Sequence, residues 1–424
     1  MLIISLKLHL LLLLQLFSCS PTPTKPKLTF DEFFDYTIFP FLKFSPNGQY
    51  LLIETSRPSW NTSTYENTLW IYDTQQHTRK VITKNPHKLI KPQWSPNGNW
   101  IALLLEEPSS NKIDQRLLEN EPPTEQQIYL YSLMTNDLSP IHISKNIPLA
   151  FAWSDNDFSL YLAAIDLQAI KENDDLDKDE WKDVIQYRHN TKNVQSTIYR
   201  IDINHNNNLL SVKRNVIRNV SFLIGELLFV PLQAKLLCTS ISLLLENVQD
   251  FEIYSIDLWN TSSLVRLTDN EAVEGVLRLS IDGQHVLFQT DSAGSTRGKS
   301  NATQARLLSL NLLNGQITRL AENFHGNIIE FIVRSDGGVY IVGQLGTEMQ
   351  IYSQRSSRDN LIKHSGWNGT YGSITSSYQN RFIAFVHSST ANPMEVYFIN
   401  NIDQLQLAQA ITDENKLFTQ RDLP

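Results

Sequence analysis

The chain has 424 residues, a formal net charge of −8, 41% hydrophobic and 19% charged residues, and a mean hydropathy of −0.25. That length exceeds one ordinary hydrophobic core and calls for two domains or one large architecture built from repeats. The acidic balance argues against nucleic acid as a partner, because such binders carry a basic footprint.

The first residues, MLIISLKLHLLLLLQLFSCS, place Lys7 before a leucine-rich run that ends in small residues at Ser18, Cys19 and Ser20. The run is short for a membrane span and reads as a secretory signal peptide over residues 1–20. The expected protein is therefore secreted, with no membrane span after cleavage. An uncleaved anchor is the alternative, and so, in a bacterial host, is a lipid anchor on Cys19, although Phe17 stands where such signals prefer a small residue. Residues 21–27, PTPTKPK, read as an extended spacer. Cleavage would leave Cys238 as the only cysteine, an apolar core residue in LLCTSIS with no disulfide partner. Asn61, Asn219, Asn260, Asn301 and Asn368 each open an N-x-S/T triplet and are glycosylation candidates if the host is eukaryotic.

Thr29 and Glu32 in LTFDEFF form a capping box, and Leu28 and Phe33 stand where a hydrophobic staple would be, so one short helix is expected there. From Phe41 the pattern changes to short apolar runs cut by turns. FSPNGQYLLIE (44–54) returns about fifty residues later as WSPNGNWIALLLEE (94–107). Each phrase reads as a strand, a Pro-Asn-Gly reversal and a second strand.

Aligned on that phrase, the chain divides into units of four strands. The first continues through TLWIYDT and KVIT, and the second through QQIYLYS and PIHIS. The third has FAW, FSLYLAAI, STIYRIDI and SVKRNVI; the fourth VSFLIG, KLLCTSIS, FEIYSIDL and LVRLT. LRLSIDGQHVLFQT opens the fifth, EFIVRSDGGVYIVGQ the sixth, and YGSITSSYQNRFIAFVHS the seventh, which ends at AQAIT. Seven such units predict an all-β, seven-bladed β-propeller over residues 28–412, followed by an exit segment at 413–424. Phe44, Trp94 and Trp153, just before the turns, are the expected wedges between blades.

The third unit carries the longest insertion, from Asp166 to Gln195, acidic through Asp174, Asp175, Asp177, Asp179, Glu180 and Asp183. A solvated face is the plain reading, and Trp181, Tyr187 and Arg188 are its candidate contacts to a substrate or partner.

Chemistry-bearing motifs are scarce. The only glycines four apart, Gly294 and Gly298, flank Thr296, so there is no G-x-S-x-G nucleophile elbow. GSTRGKS (294–300) has three residues between its glycines where a phosphate loop needs four, and reads as a loop between strands. No zinc or calcium motif is present, and no cofactor is expected. Glu106 and Glu107 are adjacent, so on a strand they face opposite sides.

The SPNG hairpins, the phrases LWIYDT, IYRIDI and IYSIDL, the segment WKDVIQYRHNTKNVQSTIYRID (181–202) and the closing NPMEVYFIN…AQAITDENKLF resemble the N-terminal propeller of the prolyl oligopeptidase family of serine peptidases. The likeness is to its dipeptidyl-peptidase and acylaminoacyl-peptidase branches, and it spans residues 28–424. In that family the propeller is followed by an α/β-hydrolase domain with a Ser, Asp and His triad. None of the triad positions has a counterpart here, and no glutamate pair aligns with the one that holds the substrate amino terminus in dipeptidyl peptidase IV relatives.

The resemblance implies a non-catalytic, substrate-gating region of a secreted peptidase, a fragment whose partners are peptide substrate or a hydrolase domain, with no activity expected from this chain alone. The alternative is a free-standing TolB-like propeller that binds a protein or peptide. A carbohydrate-active propeller would need acidic residues converging in the channel.

Overall fold

The computed structural model describes residues 25–84, 88–108, 124–141, 146–166, 195–206, 209–241, 251–270, 272–292 and 304–422. It shows seven four-stranded antiparallel sheets, each made of strands consecutive in the chain. Blade 1 is β1 Ile38–Phe44, β2 Tyr50–Ser59, β3 Thr64–Asp73 and β4 Thr78–Lys84. Blade 2 is β5 Lys88–Trp94, β6 Trp100–Pro108, β7 Thr124–Ser132 and β8 Leu138–Ile141. Blade 3 is β9 Asn146–Trp153, β10 Ser159–Asp166, β11 Ser196–Asn206 and β12 Leu209–Val220. Blade 4 is β13 Leu223–Val230, β14 Lys235–Ile241, β15 Ile253–Asp257 and β16 Leu264–Arg266. Blade 5 is β17 Ala272–Leu279, β18 His285–Ser292, β19 Arg306–Asn311 and β20 Ile317–Leu320. Blade 6 is β21 Asn327–Val333, β22 Val339–Leu345, β23 Glu348–Gln354 and β24 Ile362–Lys363. Blade 7 is β25 Thr370–Ser376, β26 Ile383–Ser388, β27 Glu395–Ile399 and β28 Gln409–Ala410. The seven-bladed propeller expected from the repeats is the observed fold, with every strand where the unit alignment puts it.

The core is divided among the blade interfaces. Leu51 and Ile53 of β2 pack against Ala384, Val386 and Val396 of blade 7. Leu52, between them, packs with Trp94, Ile101 and Leu103 of blade 2. The same alternation holds in β6, whose Ile101 and Leu103 face blade 1 while Ala102 and Leu104 face blade 3. A strand between two neighbours is buried on both faces, so it reads as a continuous apolar run such as IALLL. Seven clusters result, one for each pair of adjacent blades, including the pair 7 and 1.

The wedge residues sit as expected. The Trp94 indole N–H donates to the Lys43 carbonyl at 3.2 Å, and that of Trp153 to the Gln93 carbonyl at 3.3 Å, each bond crossing to the preceding blade. Phe44 packs on Phe398 of blade 7, with ring centroids 6.2 Å apart.

The repeated turn is equally local in cause. Ser45 Oγ donates to Asn47 Oδ1 at 2.7 Å and accepts from Tyr50 N at 2.9 Å, while Asn47 Oδ1 accepts from Gln49 N at 3.0 Å. Gly48 takes φ +73°, a left-handed value that a side chain resists. Ser280, Asp282 and Gly283 repeat this wiring in blade 5.

Helix α1, Phe30–Phe33, carries the predicted capping box in both directions. Phe33 is 54% exposed, and its ring contact is with Phe34. A second short helix, α2, is Lys416–Thr419. Pro26 and Lys27, at the end of the expected spacer, are tied down instead: Asp422 N donates to Pro26 O at 2.9 Å, and Lys27 forms a parallel bridge with Asp422. Arg421 pairs with Glu32 and holds its carboxyl down at about 2.

Because strands alternate in direction, the connections alternate between two faces of the ring. The SPNG-type turns share one face. The opposite face receives both tied ends of the described chain and the strand ends flanking residues 109–123, 167–194, 242–250 and 293–303.

Candidate functional site at the central channel

The first strand of every blade lies innermost, and every one of the seven carries an irregularity where it pairs with the second. The register shifts fall at Ile38/Phe41, Ile90/Gln93, Pro148/Ala150, Ile224/Glu226, Gly275/Arg278, Ile328/Glu330 and Gly372/Ile374. A bulge frees backbone groups from the ladder and re-aims the next side chain. Val276, inside one of them, sits at φ +57°, a strained position for a β-branched residue.

The freed groups are taken up by polar side chains at the shift. Glu226 Oε2 accepts from Leu277 N at 2.9 Å, joining blade 4 to blade 5. Glu330 Oε2 accepts from Ile374 N at 3.0 Å, joining blade 6 to blade 7. Gln93 Nε2 donates to the Phe151 carbonyl at 3.0 Å, joining blade 2 to blade 3. The polar residues that interrupt apolar first strands are thus staples around the channel wall.

Lys43 of blade 1, Arg278 of blade 5 and Glu330 of blade 6 feel one another's charges, which residues of those three blades can do only at the axis. Tyr378, beyond β25, also feels Arg278. Burial pushes the Lys43 ammonium down to about 8; Arg278 pushes the same way and Glu330 opposes both. Burial raises the Glu330 carboxyl, while the Ile374 N–H, Arg278 and Lys43 pull it down. Among the described residues, Lys43, Arg278 and Glu330 thus bring two cations and a carboxylate together at the throat.

That balance makes a testable pH effect. A lysine with a folded value near 8 and an ordinary value of 10.5 binds fewer protons folded than unfolded between those two pH values. Wild-type stability should therefore gain about 1–2 kcal/mol relative to Lys43→Met as pH rises from 8 toward 10.5, after discounting for the channel's solvent. Urea midpoints at stepped pH measure it, and a constant difference would refute it. Glu330→Gln keeps an acceptor for Ile374 N–H and removes the counter-charge, so the gain should begin at lower pH.

Among the sequence-nominated residues, Asn61, Asn219, Asn260 and Asn368 are exposed. Asn301, Trp181, Tyr187, Arg188 and the GSTRGKS loop lie outside the described residues, as do Cys19 and the rest of the leader. Glu106 and Glu107 are consecutive in β6. Cys238 is fully buried, with its thiol pushed up to about 12 by burial. It should stay unreactive toward a thiol reagent such as dithiobis(nitrobenzoate) in native protein and react at once in urea; native labelling within minutes would contradict this placement. Among the described residues, no group of three or more His, Cys, Asp and Glu is placed to hold a metal, and no helix is long and apolar enough to cross a membrane.

Sequence reasoning missed the ring's clasp. Asn415, 2% exposed, donates to the Thr37 carbonyl at 2.8 Å and accepts from Thr37 N at 2.7 Å, just ahead of β1, and it also donates to the Met394 carbonyl at 2.6 Å. Glu395 accepts from Asn415 N and Thr412 Oγ1 and so orients the turn. A related arrangement recurs inside the ring: Asn270 N donates to Glu252 as Asn415 N does to Glu395, but the Thr268 hydroxyl and the Asn270 side chain bond Glu274 of the next blade. The signal is visible in the sequence as E-[IV]-Y followed by T-D and an asparagine: EIY…TDN at the junction of blades 4 and 5, EVY…TDEN after blade 7.

Residues 45–107 match the family described as "Dipeptidyl peptidase IV (DPP IV) N-terminal region". No curated protein matches the sequence. The uncomplexed acylaminoacyl peptidase of Pyrococcus horikoshii superposes with a TM-score of 0.58 at 14% identity, covering 93% of this chain and 55% of the peptidase. The β-propeller domain of the trilobed protease from Pyrococcus furiosus superposes at 0.56 and 12% identity, covering 90% of this chain and 97% of that domain. TolB from Acinetobacter baumannii reaches only 0.43, too distant to bear on function. At such identities the superpositions show the fold. The chain spans about half the length of the acylaminoacyl peptidase it matches. The resemblance to the N-terminal β-propeller of prolyl oligopeptidase-family peptidases is supported by the family match and by the fold.

Proposed function

We propose that this propeller is the substrate-gating region of a secreted serine peptidase of the prolyl oligopeptidase type, working with an α/β-hydrolase domain at the face that gathers its chain ends. The observation that carries the reading is the closed ring itself: seven blades stapled around a charged throat, the arrangement a gating propeller needs if extended peptide is to be admitted along its axis. Its work is admission and orientation, which act on access rather than on bond breaking. Secretion through residues 1–20, sugar on the exposed triplets and, in a bacterium, anchoring through Cys19 belong to the same proposal.

The transcript beyond codon 424 tests it. An in-frame hydrolase domain with G-x-S-x-G, or such a domain encoded beside this gene and co-purifying with the protein, supports gating. A stop codon with no hydrolase partner in the purified protein would overturn it in favour of a free-standing binding propeller.

A further inference from the structure

On the face of the SPNG-type turns, away from the chain ends, a cavity of about 510 Å3 opens between blades 6 and 7. That is within the roughly 300–1,000 Å3 typical of small-molecule sites. Its charged lining consists of three arginines, Arg334, Arg355 and Arg381, and three aspartates, Asp336, Asp359 and Asp403. They come from the connections after β21, β23, β25 and β27, which only the packing of two blades brings together.

One pair is already spent on structure. Arg334 binds Asp336 through two bonds, at 2.8 and 2.7 Å, and lies over the Tyr340 ring at 4.8 Å, forming a fixed wall. Arg355 has its nearest carboxylate, Asp336, at 3.8 Å, and Arg381 has no hydrogen-bonded acid among the described residues. Asp403 stands 3.8 Å from His364 Nδ1, an imidazole that burial holds toward its neutral form, and it feels the Arg334 charge without a hydrogen bond to it. Asp359 accepts from Ser356 Oγ at 2.8 Å and likewise has no hydrogen-bonded cation among the described residues. Ser353 bonds His364 Nε2 at 2.8 Å but is 1% exposed near the end of β23, so it props the imidazole and offers no nucleophile.

Two guanidinium groups and two carboxylates, none hydrogen-bonded to an opposite charge among the described residues, surround one small cavity and match a ligand that carries both charges. We infer that the cavity between blades 6 and 7 binds a small zwitterion, a free amino acid or a dipeptide, with its carboxylate on Arg355 and Arg381 and its ammonium on Asp403 and Asp359. Fork-shaped guanidinium donors suit a carboxylate, and charge-assisted bonds supply the affinity. The inference stands on these side chains alone and does not depend on the gating role.

Calorimetric titration of the purified protein at low salt, with the twenty free amino acids and dialanine, tests it. At least one should bind saturably. Arg381→Ala and Asp403→Asn, both surface changes, should each weaken that binding at least tenfold while leaving the thermal midpoint of the unliganded protein unchanged. N-acetyl-dialanine amide, which has neither charge, should not bind. No saturable binding across the panel overturns the inference, as does undiminished binding by both variants. Tighter binding of succinate or inorganic phosphate than of any zwitterion would show a plain anion site and overturn it too.

Discussion

Asn415→Ala is expected to destabilise the protein by about 3–5 kcal/mol, because it strands the Thr37 N–H, the Thr37 carbonyl and the Met394 carbonyl in a buried seam. Among the described residues no strand is exchanged between the first and last blades; the seam is held by apolar packing of blade 7 on blade 1, by this buried side chain, and by more exposed polar contacts such as Arg79 with Asp413 and Glu414. Asn270→Ala is the internal control. Among the described residues its side chain bonds Glu274 alone, at 2.6 Å, and the change should cost about 1–2 kcal/mol. Urea unfolding of both variants measures the difference, with limited proteolysis reporting early opening at the seam. Equal losses in the two variants would mean that Asn415 is an ordinary turn residue and not the clasp of the ring.

Trp153→Ala should cost about 3–5 kcal/mol, the range for deleting a buried tryptophan. The indole is 7% exposed, packs in the cluster shared by blades 2 and 3, and donates to the Gln93 carbonyl. Trp153→Phe should recover much of the loss by refilling the cavity, leaving the cost of one unmet carbonyl, about 1 kcal/mol. Trp94 occupies the matching place between blades 1 and 2 and should behave alike. If Trp153→Ala lost under 1 kcal/mol in urea unfolding, the wedge role would be wrong.

The architecture was legible because its causes are local. The hydroxyl of Ser45, the amide of Asn47 and the left-handed Gly48 make a hairpin wherever they recur, and counting strands from that hairpin places all seven blades. The channel staples were less visible. A lone Glu226, Glu330 or Gln93 in an apolar strand signals a special environment, yet only the register shift beside it shows that it serves the next blade's backbone.

The clasp left a readable trace, the second T-D-containing junction, which reads as an exit segment until the same phrase is found between blades 4 and 5. The cavity residues left no trace, since Arg334 and Asp403 are about 70 positions apart and meet only through ring closure of two blades. The acidic insertion with Trp181, Tyr187 and Arg188 lies outside the described residues, so its nominated contacts are untouched by the geometry.

The central claim, that this chain admits and orients substrate without cutting it, is tested most directly by incubating the purified protein with dipeptidyl and N-acyl-aminoacyl p-nitroanilides. The expected result is release of nitroaniline no faster than the buffer blank, and no labelling by a fluorophosphonate probe. Hydrolysis that co-elutes with the chain and is abolished by that probe would contradict the account.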